Sequence, residues 1–402
     1  MKNIDNRFEF KGLKGLDVDT LFKDISTPFF VLDEAQIEFD GNILLSVQQK
    51  TGCKILLAQK AFSNYDLYPL MEKFVAGTEA SGLYEARLGK EEMPSKEVHV
   101  FCAAYKEDEF DELLKYADHI VFNTINQFHK YAYKAKEHNK SVGLRINPEC
   151  STQVGHEMYD PCTPGSRLGV PLKNFIEGMG EEDLKILDGL HFHTLCQQNS
   201  DDLEKTLVAV EEKFGKYLSS LKWINFGGGH HITREDYDVD RLIRCINYIQ
   251  DKYNVEVYLE PGEACVLNAG YLVTRVLDTF KNGDKNIALV DCSAACHMPD
   301  VLECHFLPPL LNANLDNEGI EYKLGGPTCL SGDNIGEYIF KEELKENEIL
   351  VFGDCALYTT CKTNTFNGMP LPNIYILHKD KSLEKLTDFN YFDFKYRLGK
   401  TK

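Results

Sequence analysis

Between Lys54 and Gly262 the chain repeats one alternation eight times, a short β-branched or apolar run followed by a longer stretch with helical periodicity. The runs are KILLAQK (Lys54–Lys60), GTEAS (Gly77–Ser81), EVHVFCA (Glu97–Ala103), HIVFNT (His119–Thr124), SVGLRIN (Ser141–Asn147), LDGLHFH (Leu187–His193), LKWINFGGG (Leu221–Gly229) and VEVYLEPG (Val255–Gly262). Between the sixth and seventh, Leu203, Leu207, Val210, Phe214 and Leu218 recur at spacings of three and four, which aligns them on one face of a helix. Strands that alternate with helices pair in parallel through crossovers. Eight such units predict an α/β fold, a (β/α)8 TIM barrel, with its chemistry at the carboxyl ends of the strands.

The texture changes after about residue 270, where YLVTRVLDTF, NIALVDC, EILVFGDCALYTT and NIYILHK follow one another without long helical patterns between them. A second, mainly β domain is expected there. The division expected is a barrel over residues 28–270 and a β domain from 1–27 and 271–402, with FEFKGL near the start adding a strand to the latter. The loop from Pro148 to Leu168, holding Pro161, Pro164 and Gly165, has the length of a lid or an insertion over the site.

Composition narrows the partners. Lys and Arg number 44 against 63 Asp and Glu, a formal charge of −19, with no basic run. Nucleic acid is therefore not an expected partner, because backbone binding needs clustered cations. A cationic small molecule suits the field, as does plain solubility. No apolar run reaches the ~18 residues that span a bilayer, and the start MKNIDNRFEFKGLKG has no signal-peptide core. Thirteen Cys with no CxxC pair read as reduced thiols in a cytoplasmic protein.

The unusual residues sit at the predicted strand ends. Lys60 closes an apolar strand, where an amine loses hydration and becomes able to do Schiff-base chemistry; taken alone, such a lysine is more often a solvated terminus. Gly227, Gly228 and Gly229 follow WINF and leave backbone N–H groups open to a phosphate, or simply make a tight turn. Glu260, with Gly262 two residues on, ends the eighth strand and is suited to hold a protonated ring nitrogen or to cap a helix. His193 shares a side with His191, and His230 and His231 follow the glycines. Zinc on these histidines is the competing reading. One histidine stacked on a planar cofactor explains lysine, glycine loop and carboxylate together, so pyridoxal 5′-phosphate is expected and no metal.

These motifs, LLAQKAF, LHFHTLC, INFGGGHH, LEPGEA, DCSAACHMPD, GGPTCLSGD and CALYTT, resemble those of the fold-type III, alanine-racemase-like pyridoxal-phosphate decarboxylases, the group of ornithine and diaminopimelate decarboxylases. The resemblance runs from Thr27 to Pro370. It implies that Lys60 holds the cofactor covalently, His193 stacks on its ring, the glycine amides hold its phosphate and Glu260 pairs with its ring nitrogen. It also implies a homodimer with shared sites, in which Cys329 returns a proton to the α-carbon and Tyr358 contacts the phosphate in the neighbouring subunit. Two departures stand out. Glu263 replaces an arginine that follows EPG in ornithine-type enzymes, which frees a carboxylate for a cationic substrate, and Thr194, Leu195 and Cys196 replace small residues after HFH. With Asp300 and Asp333, Glu263 then suits a carboxylated polyamine, a substrate with one amino-acid end and further ammonium groups. The rivals are an ornithine, arginine or diaminopimelate decarboxylase of the same fold, a non-catalytic cofactor-binding homologue, and a zinc hydrolase.

Overall fold

The computed structural model describes residues 8–153, 159–315 and 318–400. The chain divides into two units, Glu38–Cys265 and the combination of Met1–Ile37 with Val266–Lys402. In chain order the strands are β1 (Phe29–Asp33), β2 (Lys54–Ala58), β3 (Gly77–Ala80), β4 (Glu97–Phe101), β5 (His119–Phe122), β6 (Ser141–Asn147), β7 (Val170–Pro171), β8 (Gly189–His191) and β9 (Trp223–Asn225). They continue with β10 (Glu256–Leu259), β11 (Gly270–Asn282), β12 (Lys285–Val290), β13 (Ile320–Gly325), β14 (Asn334–Phe340), β15 (Ile349–Gly353), β16 (Asn373–Leu377) and β17 (Leu383–Lys385).

In the first unit, the runs read from the sequence are the strands β2, β3, β4, β5, β6, β8, β9 and β10. Each pairs in parallel with the next, β10 pairs with β2, and the sheet closes on itself; the two-residue β7 adds to the end of β6. The strands are buried on both faces, as an all-parallel barrel requires. The helix Ser200–Leu218 buries the expected Leu203, Leu207, Val210, Phe214 and Leu218. Its start is fixed by Asn199, whose side chain accepts from Ser200 N–H. The helix Val239–Tyr253 is capped by Asp238 and stops at Asn254, which takes the left-handed conformation.

The floor of the barrel, at the amino ends of the strands, is aromatic. Trp223 and Tyr258 meet edge to face, with centroids 6.1 Å apart. A Cβ on Gly143 or Gly189 would fall 2.3 or 2.1 Å from the Trp223 ring, so β6 and β8 carry glycine to make room. The indole N–H donates to Ser141 Oγ over 2.8 Å.

The second unit is a mixed sheet in the order β14-β13-β12-β11-β1-β16-β17. The 13-residue β11 organises it: β1 and β15 flank its first half, and β12 pairs with its second half past an irregularity between Val276 and Asp278. Two elements depart from the sequence expectation. Residues 29–33, assigned above to the barrel, form β1 inside this sheet, Phe29 lying opposite Val273 and Asn373. FEFKGL adds no strand: Lys11–Leu13 is a short 3-10 turn, and Phe8 and Phe10 pack against the cluster around Phe29, Val31 and Tyr271. Of the expected lid from Pro148 to Leu168, residues 154–158 lie outside the described residues.

Candidate active site

The residues singled out in the barrel do converge on the carboxyl ends of its strands. Lys60 lies two residues past β2, and its Nζ is 2.9 Å from Glu79 Oε2 near the end of β3. This differs from the expected solitary amine in apolar surroundings: the amine is ion-paired, and the neighbouring carboxylate works against its desolvation. Glu79 itself is buried, and burial pushes its carboxyl well above the usual carboxylate range against the opposing pull of Lys60.

Glu260 follows β10 and is 2 % exposed. Its Oε1 accepts from Asn225 Nδ2 over 2.6 Å and its Oε2 lies 3.0 Å from His191 Nε2. Burial alone raises this carboxyl, but His191 and the Lys60 ammonium outweigh it and hold Glu260 ionised. Burial likewise keeps His191 below the usual imidazole range, so its Nε2–H donates to Glu260 while Nδ1 stays unpartnered. A buried carboxylate with two donors is a fixed negative charge.

Gly227 and Gly229 take φ of +69° and +81°. A Cβ on Gly228 would lie 2.5 Å from Glu260 O and 3.1 Å from His193 Cε1, so this residue must be glycine for the loop to pass between them. The Gly228 N–H donates to His193 Nδ1 over 3.2 Å, which fixes the ring of His193 beside the loop. Burial, with Arg145 second, keeps His193 neutral. Arg145 donates to the His193 carbonyl and lies 4.6 Å from the Phe101 ring centroid. The segment after His193 packs on the same loop: a Gly229 Cβ would fall 1.9 Å from Leu195 O. Gly262 brings its own loop against β2, where a Cβ would stand 2.6 Å from Ala61 Cβ.

Glu263 is not free, contrary to the sequence reading. His231 Nε2 lies 2.7 Å from its Oε2, and Gln197 donates to its Oε1 over 3.2 Å. The four histidines weighed as zinc ligands each find another partner: His191 pairs with Glu260, His193 with Gly228, His230 with Phe226 O and His231 with Glu263. Among the described residues, Glu97, His99 and His119 also gather three ligand-type side chains, at the amino ends of β4 and β5. Their geometry is poor for an ion. The two rings stack 3.9 Å apart with planes only 15° apart, so their in-plane lone pairs run side by side, and Lys54 already holds Glu97.

In the sheet unit, Cys329 is exposed on the loop between β13 and β14, 3.7 Å from Asn367 Nδ2. Asp333 anchors that loop. Its buried carboxylate accepts from the Ser293 and Thr328 hydroxyls and from the Ala295 and Thr328 N–H groups, at 2.7 to 3.4 Å. That saturation corrects the expectation of a substrate carboxylate and gives Asp333 the work of holding the Cys329 loop. Asp300 pairs with Lys362 at 2.5 Å, and Glu303 meets the same ammonium. Tyr358 takes φ +53° and ψ −36°, a conformation a bulky residue rarely adopts.

Comparison with known proteins shows which family the chain is similar to. The family model described as "Pyridoxal-dependent decarboxylase, C-terminal sheet domain" matches residues 29–356. The chain is 42% identical, over 94% of its length and 99% of the relative's, to carboxynorspermidine/carboxyspermidine decarboxylase of Campylobacter jejuni. It is 36% identical to carboxyaminopropylagmatine decarboxylase of Synechocystis, over 93% of this chain and 96% of that one. A crystal structure of Campylobacter jejuni carboxynorspermidine decarboxylase complexed with norspermidine superposes with a TM-score of 0.85, at 40% identity, covering 93% of this chain and all (100%) of that one.

Proposed function

Since this chain belongs to the pyridoxal-dependent decarboxylase family, we propose that it removes the α-carboxylate of carboxynorspermidine or carboxyspermidine, releasing carbon dioxide and the polyamine. The observation that supports this reading is the full-length likeness to enzymes named for those substrates. The likeness to an enzyme named for carboxyaminopropylagmatine favours one further substrate of the same chemical class, a carboxylated polyamine ending in a guanidinium.

The residues present fit pyridoxal 5′-phosphate on the chemistry of the donor set. Lys60 is a primary amine at the barrel mouth, His193 a neutral flat ring, the glycine loop a source of N–H groups and Glu260 a fixed carboxylate. When bound, the cofactor supplies the electron sink that lets the carboxylate leave. Lys60 would hold the cofactor through its amine, and Glu79, 2.9 Å away, would keep that amine close when it is free of the cofactor. Glu260 holds a proton on the ring nitrogen, made rigid by Asn225 and His191. His193 supports one face of the ring and excludes water from it.

Cys329 serves the α-carbon as proton donor and Tyr358 serves the phosphate, each reaching the barrel of a partner subunit in a homodimer. Asp300 receives a distal ammonium of the substrate in place of Lys362. The thirteen cysteines, all thiols in the structure, support a reducing cytoplasmic location.

The test is purified protein with pyridoxal phosphate and, in parallel, carboxynorspermidine, carboxyspermidine, carboxyaminopropylagmatine, ornithine and diaminopimelate, following carbon dioxide and the amine product. Release confined to the carboxylated polyamines is expected. Release from ornithine or diaminopimelate with none from the polyamine acids would overturn the substrate assignment.

A further inference from the structure

Three loops, those after β8, β9 and β10, meet at one carboxylate. Glu263 opens the short 3-10 turn Glu263–Cys265, three residues past Glu260, and His231 lies two residues past Gly229. The fold fixes their spacing. Gln198 N–H donates to Gly229 O over 3.0 Å, His231 N–H to Gln198 O over 3.2 Å, and the Thr233 hydroxyl to Ala264 O over 2.8 Å. Within this frame the 2.7 Å contact of His231 Nε2 with Glu263 Oε2 is mostly buried, the side chains being 9% and 15% exposed.

A carboxylate adjoining a glycine loop has the wrong sign for a phosphate, and burial weakens the solvent screening that would hide it. The nearby cation Arg234 does not answer it, since its guanidinium is committed to Gln197 O and Asp236. His231 does. Its Nε2 stands 2.7 Å from Glu263 Oε2, and its second nitrogen, Nδ1, is buried without a partner.

We propose that His231 is a positioning residue for the phosphate end of the cofactor: its ring Nε2, 2.7 Å from Glu263 Oε2, engages that carboxylate, so that the glycine loop receives the phosphate beside an occupied carboxylate and not beside a bare one. The proposal rests on the cofactor reading above and adds the residue that makes Glu263 tolerable there.

The experiment measures the dissociation constants of pyridoxal 5′-phosphate and of pyridoxal, which lacks the phosphate, for the wild type, His231→Gln, Glu263→Gln and the double variant, with circular dichroism as the folding control. His231→Gln is expected to weaken pyridoxal phosphate by about tenfold or more, as unmasking a charge near a phosphate should, while changing pyridoxal by no more than about twofold. Glu263→Gln should bind pyridoxal phosphate at least as tightly as the wild type, and the double variant should recover most of the loss. Equal weakening of both ligands in His231→Gln, or no recovery in the double variant, would overturn the proposal. Should His231→Gln fail to fold, Glu263→Gln still decides: a selective loss of pyridoxal phosphate there refutes the charge argument. These affinities are independent of turnover, so a failed substrate assignment leaves them interpretable.

Discussion

The amine of Lys60 and the buried carboxylate of Glu79 stand 2.9 Å apart across the ends of two adjacent barrel strands. Burial favours the protonated carboxyl and Lys60 favours the carboxylate, so the charge of one depends on the engagement of the other. If Lys60 holds the cofactor as proposed, it must let go and take it back, and a carboxylate at this distance would serve that exchange. Because the ionised form of Glu79 is the one that receives the lysine, activity should rise with pH through a midpoint above the usual carboxylate range. Glu79→Gln should lose that limb of the pH–rate profile and lower kcat by about tenfold to a thousandfold, in the range of general acid–base effects. An unchanged profile in this variant would remove Glu79 from the reaction.

Lys60→Ala removes the amine itself. Carbon dioxide release should fall to background, and the visible absorbance of the bound cofactor should shift to that of the free aldehyde. Near-normal turnover would refute the assignment of Lys60.

Gly228→Ala places a methyl group 2.5 Å from Glu260 O and 3.1 Å from His193 Cε1, in a segment with backbone on both sides. The loop must shift, which moves the amide that holds His193. Cofactor affinity should drop by about tenfold or more, with thermal stability lowered by ~1–3 kcal/mol, the usual cost of overpacking. Wild-type affinity, read by equilibrium dialysis, would show that the loop does not contact the phosphate.

Asp300 and Glu303 converge on Lys362 at 2.5 Å each. If a substrate ammonium takes the place of Lys362, Asp300→Asn should raise KM for the carboxylated polyamine several-fold, by about 1 kcal/mol of lost ion pairing, and leave kcat and cofactor binding little changed. Unaltered KM would assign the cluster to holding the segment Asp300–Glu303 in place.

His297 ties acid stability to one buried ring. Its Nδ1 accepts from Ser293 N–H over 3.1 Å and its Nε2 donates to Pro370 O over 3.0 Å, so there is no room for a second ring proton. Burial, only partly offset by Pro370, lowers its pKa from 6.5 to about 4. The unfolded chain therefore binds a proton near pH 6.5 that the folded chain refuses until about pH 4. Its contribution to stability is complete above pH 6.5 and declines as pH falls from 6.5 to about 4. His297→Asn should melt lower at neutral pH and show a shallower loss of Tm across that window, measured by calorimetry; a parallel curve would show that other groups set the acid limb.

The barrel was legible because every strand in it is a buried run of its own, separated by helices with one apolar face. The strand-end residues Lys60, His193, Gly227 to Gly229 and Glu260 were legible because they interrupt that pattern where it should end. Phe29–Asp33 was misplaced for the same reason: it is fully buried, like a barrel strand, and only its partners Val273 and Asn373, hundreds of residues downstream, reveal that it belongs to the sheet. Strands β13 and β14 escaped notice because Glu321, Lys323 and Glu337 break their apolar runs and part of each strand is only half-buried.

Pairings were less legible than positions. Glu79 carried one signal, a carboxylate inside the four-residue buried strand GTEA, but its partner lies on another strand. Glu263 was read as available because no sequence pattern announces that Gln197 and His231, from two other loops, converge on it. Asp333 was read as a substrate carboxylate because nothing in the sequence shows that hydroxyls and N–H groups from Ser293, Ala295 and Thr328 converge on it.

Trp223, which Gly143 and Gly189 accommodate, is the one tryptophan in the sequence. The protein thus has a built-in optical label confined to the barrel floor. Its emission should follow the opening of the (β/α)8 unit and remain silent when the sheet unit melts by itself, so fluorescence and far-ultraviolet dichroism recorded together would time the two units separately without any attached dye.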